Sequence, residues 1–180
     1  MSIIIAVSIG NTVYMASDGR LMDERDGSIH LETMNKTIEL SENVLIGFAG
    51  YSGRCFRIIE KLMKMDVSNI DIVSQEVSRL FEGDFSKRKT ANFLVAGRKE
   101  NNLPGICAIG TGTQGEILKY GKNSYYAIYP DDIPDIDYFM ALRAQHPELP
   151  IPELVDRTIQ LVSRVSPSVN TRCFCRELQL

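Results

Sequence analysis

The sequence has no tryptophan, only two histidines and four cysteines, and no surplus of basic residues. Each shortage excludes a class of protein. His30 and His146 are the sole imidazoles and neither sits at a recognisable ligand spacing, so a histidine-built metal centre is not expected. Cys55, Cys107, Cys173 and Cys175 are too few and too scattered for the disulfide framework of a small secreted domain. Cys173 and Cys175 alternate as strand residues do and share one face, which leaves a two-thiol metal site as a minor reading. Apolar runs stop far short of the ~18 residues of a spanning helix. The first residues lack the basic flank and long apolar core of an export signal, so the expected location is the cytoplasm. Lys and Arg total 20 against 23 Asp and Glu, for a net charge of -3, which favours neither nucleic acid nor an anionic membrane as partner.

What is present is ordinary globular composition: 44% hydrophobic and 24% charged residues over 180 positions. That length fits one domain, 1–180, able to remove roughly two thirds of its extended surface from water. Ile3 to Val7 and Thr12 to Ala16 read as strands around a Gly10-Asn11 turn. Leu21 to Glu32 is polar and charge-rich and reads as an exposed loop. Lys36 to Leu40 and Asn43 to Ala49 are strands, the second apolar enough to be central. The period then changes. Ser52 to Met65 reads as a helix with Phe56, Ile59, Leu62 and Met63 on its apolar stripe, and a Ser68/Asp71 capping box opens a second helix running to Gly83.

A basic tract, Lys87-Arg88-Lys89, precedes a strand from Ala91 to Ala96. Gly105 to Ile109 and Glu116 to Tyr120 read as a hairpin. Its connection, Gly110 to Gly115, lacks the phosphate-loop spacing and leads into a strand, so its glycines are turn residues. Ser124 to Tyr129 is a strand, Ile136 to Ala144 a short helix, and Pro152 opens a longer helix ending near Val165. Val169 to Leu178 closes the chain as a strand. The order is strands, two helices, strands, two helices, strand, with no linker between domains.

These residues resemble the proteasome β-type subunits and the proteolytic subunit of the bacterial two-component ATP-dependent protease, within the N-terminal nucleophile hydrolases. Ser2 opens the first strand where the family has its threonine nucleophile. Asp18-Gly19 follows the second strand, Lys36 begins a later one, and Gly47-Phe48-Ala49-Gly50 ends another before a helix. The resemblance implies an α+β fold: a four-layer αββα sandwich of two antiparallel sheets between helical layers. It also implies a homo-oligomeric ring or stacked rings, a peptide or unfolded-protein substrate cleaved either independently of ATP or with an ATPase unfoldase as partner, and no metal or organic cofactor.

The implied chemistry is amide-bond hydrolysis. Ser2, exposed as residue one by loss of Met1, is the nucleophile and its own α-amine the base, with a reference pKa of about 7.7–8.0. Lys36 disfavours protonation of that amine, Asp18 holds Lys36, and the Gly50 N–H receives the oxyanion. Leu21, Met34, Ile38, Phe48 and Ser52 are carried over as an apolar substrate pocket. Where the family has a serine before its third helix, this chain has Tyr129-Pro130-Asp131-Asp132. Ser166, Ser168 and Asn170 stay unassigned, with no secure match to the family's late supporting Asp and Ser. The alternatives are a catalytically inactive scaffold of the same fold and a small-molecule amidase using the same serine.

Overall fold

A computed structural model describes residues 2–23, 25–81 and 90–180. Met1, Gly83 and the tract Lys87-Arg88-Lys89 lie outside them. β1 (Ile4–Ile9) and β2 (Thr12–Asp18) form the expected hairpin, with Ile4 opposite Ser17 and Ile9 opposite Thr12. β10 (Ser124–Ile128) and β11 (Cys173–Gln179) flank it, giving an antiparallel sheet of order β10-β1-β2-β11. A second antiparallel sheet runs in chain order through β5 (Thr37–Ser41), β6 (Val44–Gly50), β7 (Ala91–Arg98), β8 (Pro104–Gly110) and β9 (Leu118–Tyr120).

Both faces of the central strands are buried, which explains their near-continuous apolar runs. On β1, Ile5 and Val7 join Ile3 in packing toward α3 (Tyr138–Gln145) and α4 (Ile151–Ser163), while Ile4 and Ala6 face the other sheet. On β6, Val44, Ile46 and Phe48 face α1 (Ser52–Leu62) and α2 (Ile70–Phe81); Leu45 and Ala49 face inward. The result is the four-layer αββα arrangement, with the inter-sheet core made from Ile4, Met15, Leu45, Leu94 and Ile106 among others. Each such side chain contributes about 1.5–3 kcal/mol by leaving water. At Gly47 the sheets approach so closely that an added Cβ would lie 2.7 Å from Ile4 and 2.9 Å from Met15. A larger residue there would push those side chains apart.

Three local expectations are corrected. The 21–32 stretch contains a two-stranded ribbon, β3 (Leu21–Met22) with β4 (Ile29–Leu31), because Asp23 and Ser28 close a tight turn through an N–H···O=C bond of 2.7 Å. The apolar side of α1 is rotated from the expected stripe: Cys55, Ile58, Ile59 and Leu62 are buried, whereas Phe56 and Met63 are exposed. Arg54 joins the buried side because its guanidinium stacks 4.5 Å above the Phe81 ring. At the start of α2, the Asn69 side chain accepts the N–H groups of Asp71 and Ile72, displacing Ser68 from the capping role. Among the described residues no helix is long and apolar enough to cross a membrane.

Candidate active site

The start of β1 and the ends of β2 and β6 meet with the approach to β5, and Asp18, Lys36 and Gly50 arrive there already constrained. Asp18 ends β2 with its side chain fully buried. Its Oδ1 accepts from Lys36 Nζ at 2.9 Å and from the Ile3 N–H at 3.2 Å; its Oδ2 accepts the Arg20 N–H at 2.8 Å. The carboxylate therefore grips the residue next to Ser2 and the buried ammonium together. Lys36 Nζ also donates to the Asp18 carbonyl at 3.2 Å. Burial holds Lys36 below the usual lysine range, opposed by the Asp18 charge and hydrogen bond. Burial likewise pushes the Asp18 carboxyl up, against the lowering influence of Lys36 and the two backbone donors.

Ser2 and Gly50 border one cavity of about 520 Å³, together with Tyr51, Thr90, Asp131 and Ser168. Gly50 has a φ of +111°, and a Cβ there would sit 2.2 Å from the Thr90 carbonyl oxygen, so the turn from β6 into α1 requires glycine. Of the residues carried over to a substrate pocket, Leu21 borders this cavity. Phe48, Met34 and Ile38 pack instead with the core beneath α1 and α2, and Ser52 begins α1. Arg20, Met22 and Arg25 complete the wall, giving it more charge than the expected apolar lining.

The three late residues left without a role now have places. The Ser166 hydroxyl lies 2.9 and 3.0 Å from the two Asp132 oxygens and 2.7 Å from Ser168 Oγ. An ionised carboxylate only accepts, so the Ser166 proton points to Asp132 and Ser168 donates to Ser166. Ser168 reaches the Ser2 cavity. Asn170 accepts the Gly19 N–H at 2.9 Å and donates to the Glu32 carbonyl at 2.9 Å, clamping the turn that follows Asp18. Sequence spacing offered no signal for Thr90 or Tyr51, nor for the pairing of Asp132 with Ser166.

Comparison with solved structures finds HslV from Trypanosoma brucei at a TM-score of 0.71, with 16% identity, covering 99% of this chain and 99% of that one. Anbu, the ancestral β-subunit from Yersinia bercovieri, also superposes at 0.71, with 14% identity over 98% of this chain and 81% of that chain. The fold is proteasome-like. No protein-family model and no curated protein matches the sequence. At these identities the likeness concerns the backbone alone, so the chemistry of this proteasome-like chain rests on its own residues.

Proposed function

We propose that the chain is an N-terminal-serine hydrolase that cleaves peptide amide bonds once Met1 has been removed. The observation that carries this reading is the buried Asp18–Lys36 pair, whose carboxylate also binds the Ile3 N–H adjacent to Ser2. A fixed charge pair in a dry core costs desolvation energy, and its placement beside a cavity-lining hydroxyl gives that cost a chemical use.

In this mechanism the α-amine of Ser2 takes the hydroxyl proton as Oγ attacks the substrate carbonyl carbon. Lys36 keeps the amine unprotonated beforehand and favours the alkoxide. The Gly50 N–H stabilises the oxyanion, a contribution of roughly 3–4 kcal/mol where such a donor is preorganised. Collapse breaks the C–N bond, and the ammonium returns its proton to the leaving amine. Water, deprotonated by the same amine, then hydrolyses the ester and restores the Ser2 hydroxyl. Ser168, oriented through Ser166 by Asp132, accepts a hydrogen bond from the amine. No step calls on a metal or organic cofactor.

The proteasome-like fold supports assembly into a homo-oligomeric ring; the same proposal sets that ring in the cytoplasm, working either independently of ATP or with an ATPase unfoldase that feeds unfolded chains to it. Intact-mass measurement of the native protein, paired with turnover of a mixed peptide library, tests the reading. Expected are a chain lacking Met1 and turnover that disappears in Ser2→Ala. Retained Met1 in an active preparation contradicts it. A chain without Met1 that turns over neither peptides nor small amides is the inactive scaffold, and turnover of small amides alone makes it the small-molecule amidase.

A further inference from the structure

Beyond the Ser2 cavity, the surface continues through two more depressions that share walls. Asp131 borders both the Ser2 cavity and one of about 550 Å³ beside β8 and β10. Tyr126, Ala127 and Tyr129 are common to that second cavity and to a third of about 500 Å³. The third is walled by Tyr120, Tyr125, Tyr126 and Tyr129, with Asp135 and Asp137 at its border. Its rings are held in place. The Tyr120 and Tyr126 rings meet at a tilt of 43° with centroids 5.0 Å apart, and the Tyr125 and Tyr129 hydroxyls donate to the two oxygens of Asp137 at 2.6 and 2.9 Å. Asp137 also accepts the Met140 N–H as the cap of α3. Burial, reinforced by the Asp137 carboxylate, pushes the Tyr125 hydroxyl up to about 12, so it stays a donor at neutral pH. Arg143 opposes that shift from α3 but does not border the cavity.

Charge is the second observation. Among the described residues, no lysine or arginine lies within ion-pair distance of Asp131, Asp135 or Asp137. Asp137 is already held by three hydrogen-bond donors, which leaves Asp135 at the border as the carboxylate without a cation in ion-pair reach. Carboxylates beside ordered aromatic faces form a surface that attracts a cation, and a planar guanidinium can both stack and hydrogen-bond there. We propose that this tyrosine-walled cavity receives a lysine or arginine side chain of a peptide lying across the Ser2 cavity. The identity of the ligand as a peptide rests on the hydrolase reading; the preference for a cation rests on the tyrosines and carboxylates alone.

The test is binding to the full chain carrying Ser2→Ala, which removes turnover from the measurement. Acetylated, dye-labelled hexapeptides of alanine, with arginine or its neutral isostere citrulline placed at each position in turn, are titrated by anisotropy. Intrinsic tyrosine emission is followed in parallel, since the chain has no tryptophan and four of its seven tyrosines border the cavity. The expected result is saturable binding, with arginine at one or two positions preferred over citrulline by about tenfold and the preference lost in Asp135→Asn and in Tyr120→Leu. Asp135 is exposed, so its replacement leaves the fold intact even if Tyr120→Leu does not. Equal binding of arginine and citrulline peptides overturns the proposal. So does a cation preference unchanged in Asp135→Asn, or variants that alter sedimentation but not peptide binding, which would make a second copy of the chain the occupant. Arginine-selective binding by a wild-type protein that turns over nothing supports this cavity while leaving the hydrolase reading to fail by its own test.

Discussion

Two ion pairs tie the end of β2 to the segment before β5, under opposite conditions. Asp18–Lys36 is buried, with side chains 0% and 3% exposed. Arg20–Glu32 spans nearly the same gap at 2.9 Å but leaves 45% of the Glu32 side chain in water. Both have good geometry. The buried pair must overcome the loss of hydration on two charges, and removing either partner strands the other in the core. The exposed pair loses little, because water replaces what a substitution takes away. Two similar distances thus describe a structural and chemical centre in one case and a surface clamp in the other.

The largest expected effect comes from Lys36→Met. It should lower unfolding free energy by about 3–5 kcal/mol, measured by urea denaturation, because Asp18 is left charged in the core without its counter-ion. Turnover should fall by at least about 100-fold in the same protein. The deficit should also depend on pH. Lys36 lowers the Asp18 value, so its loss raises the folded-state carboxyl further above its unfolded one. A raised folded value stabilises at acid pH and the benefit is lost as pH rises. The Lys36→Met deficit should therefore be smaller at about pH 5 than at about pH 8. An equal deficit at both would mean that Asp18 is not the stranded partner.

Gly50→Ala probes the neighbouring backbone without touching either ion pair. Its positive φ and the approach of Thr90 predict a loss of about 1–3 kcal/mol in stability. Alanine keeps the backbone N–H, so a fall in kcat beyond about 100-fold, with KM little changed, would mark displacement of a donor used only in the transition state. Glu32→Gln should have the smallest effect. Its carboxyl is held below the usual range by hydrogen bonds from Arg20 and Asn170, so its contribution is complete above the ordinary carboxylate value and fades as pH falls through the lowered one. At neutral pH its melting curve should nearly overlay that of the wild type. A loss rivaling Lys36→Met would erase the contrast between the two pairs.

The strand and helix order was legible because strand alternation and helix period are local properties. Ile3 to Val7 announced a buried strand whichever sheet it joined, and Pro152 marked the first turn of α4. The rotation of α1 was not legible, since Arg54 is buried by a ring contributed from α2, twenty-seven residues away. Ser2, Asp18, Lys36 and Gly50 were singled out by resemblance to a family pattern, and the structure brings Ser2 and Gly50 to one cavity and Asp18 to Lys36. Met34 and Phe48 have the apolar character of either a pocket or a core, and both pack against the cluster beneath α1 and α2. Asp132 and Ser166 hydrogen-bond across 34 residues of sequence and Ser166 passes the bond on to Ser168, a group no local pattern encodes.

The central claim is that the Ser2 hydroxyl, activated by its own amine, is the nucleophile. Its most direct test is to treat the native protein with a peptide-based electrophile and map the adduct by mass spectrometry. The account predicts one adduct on Ser2 as residue one, absent from Ser2→Ala and strongly slowed in Lys36→Met. An adduct on another side chain, or labelling of a chain that still carries Met1, would contradict it.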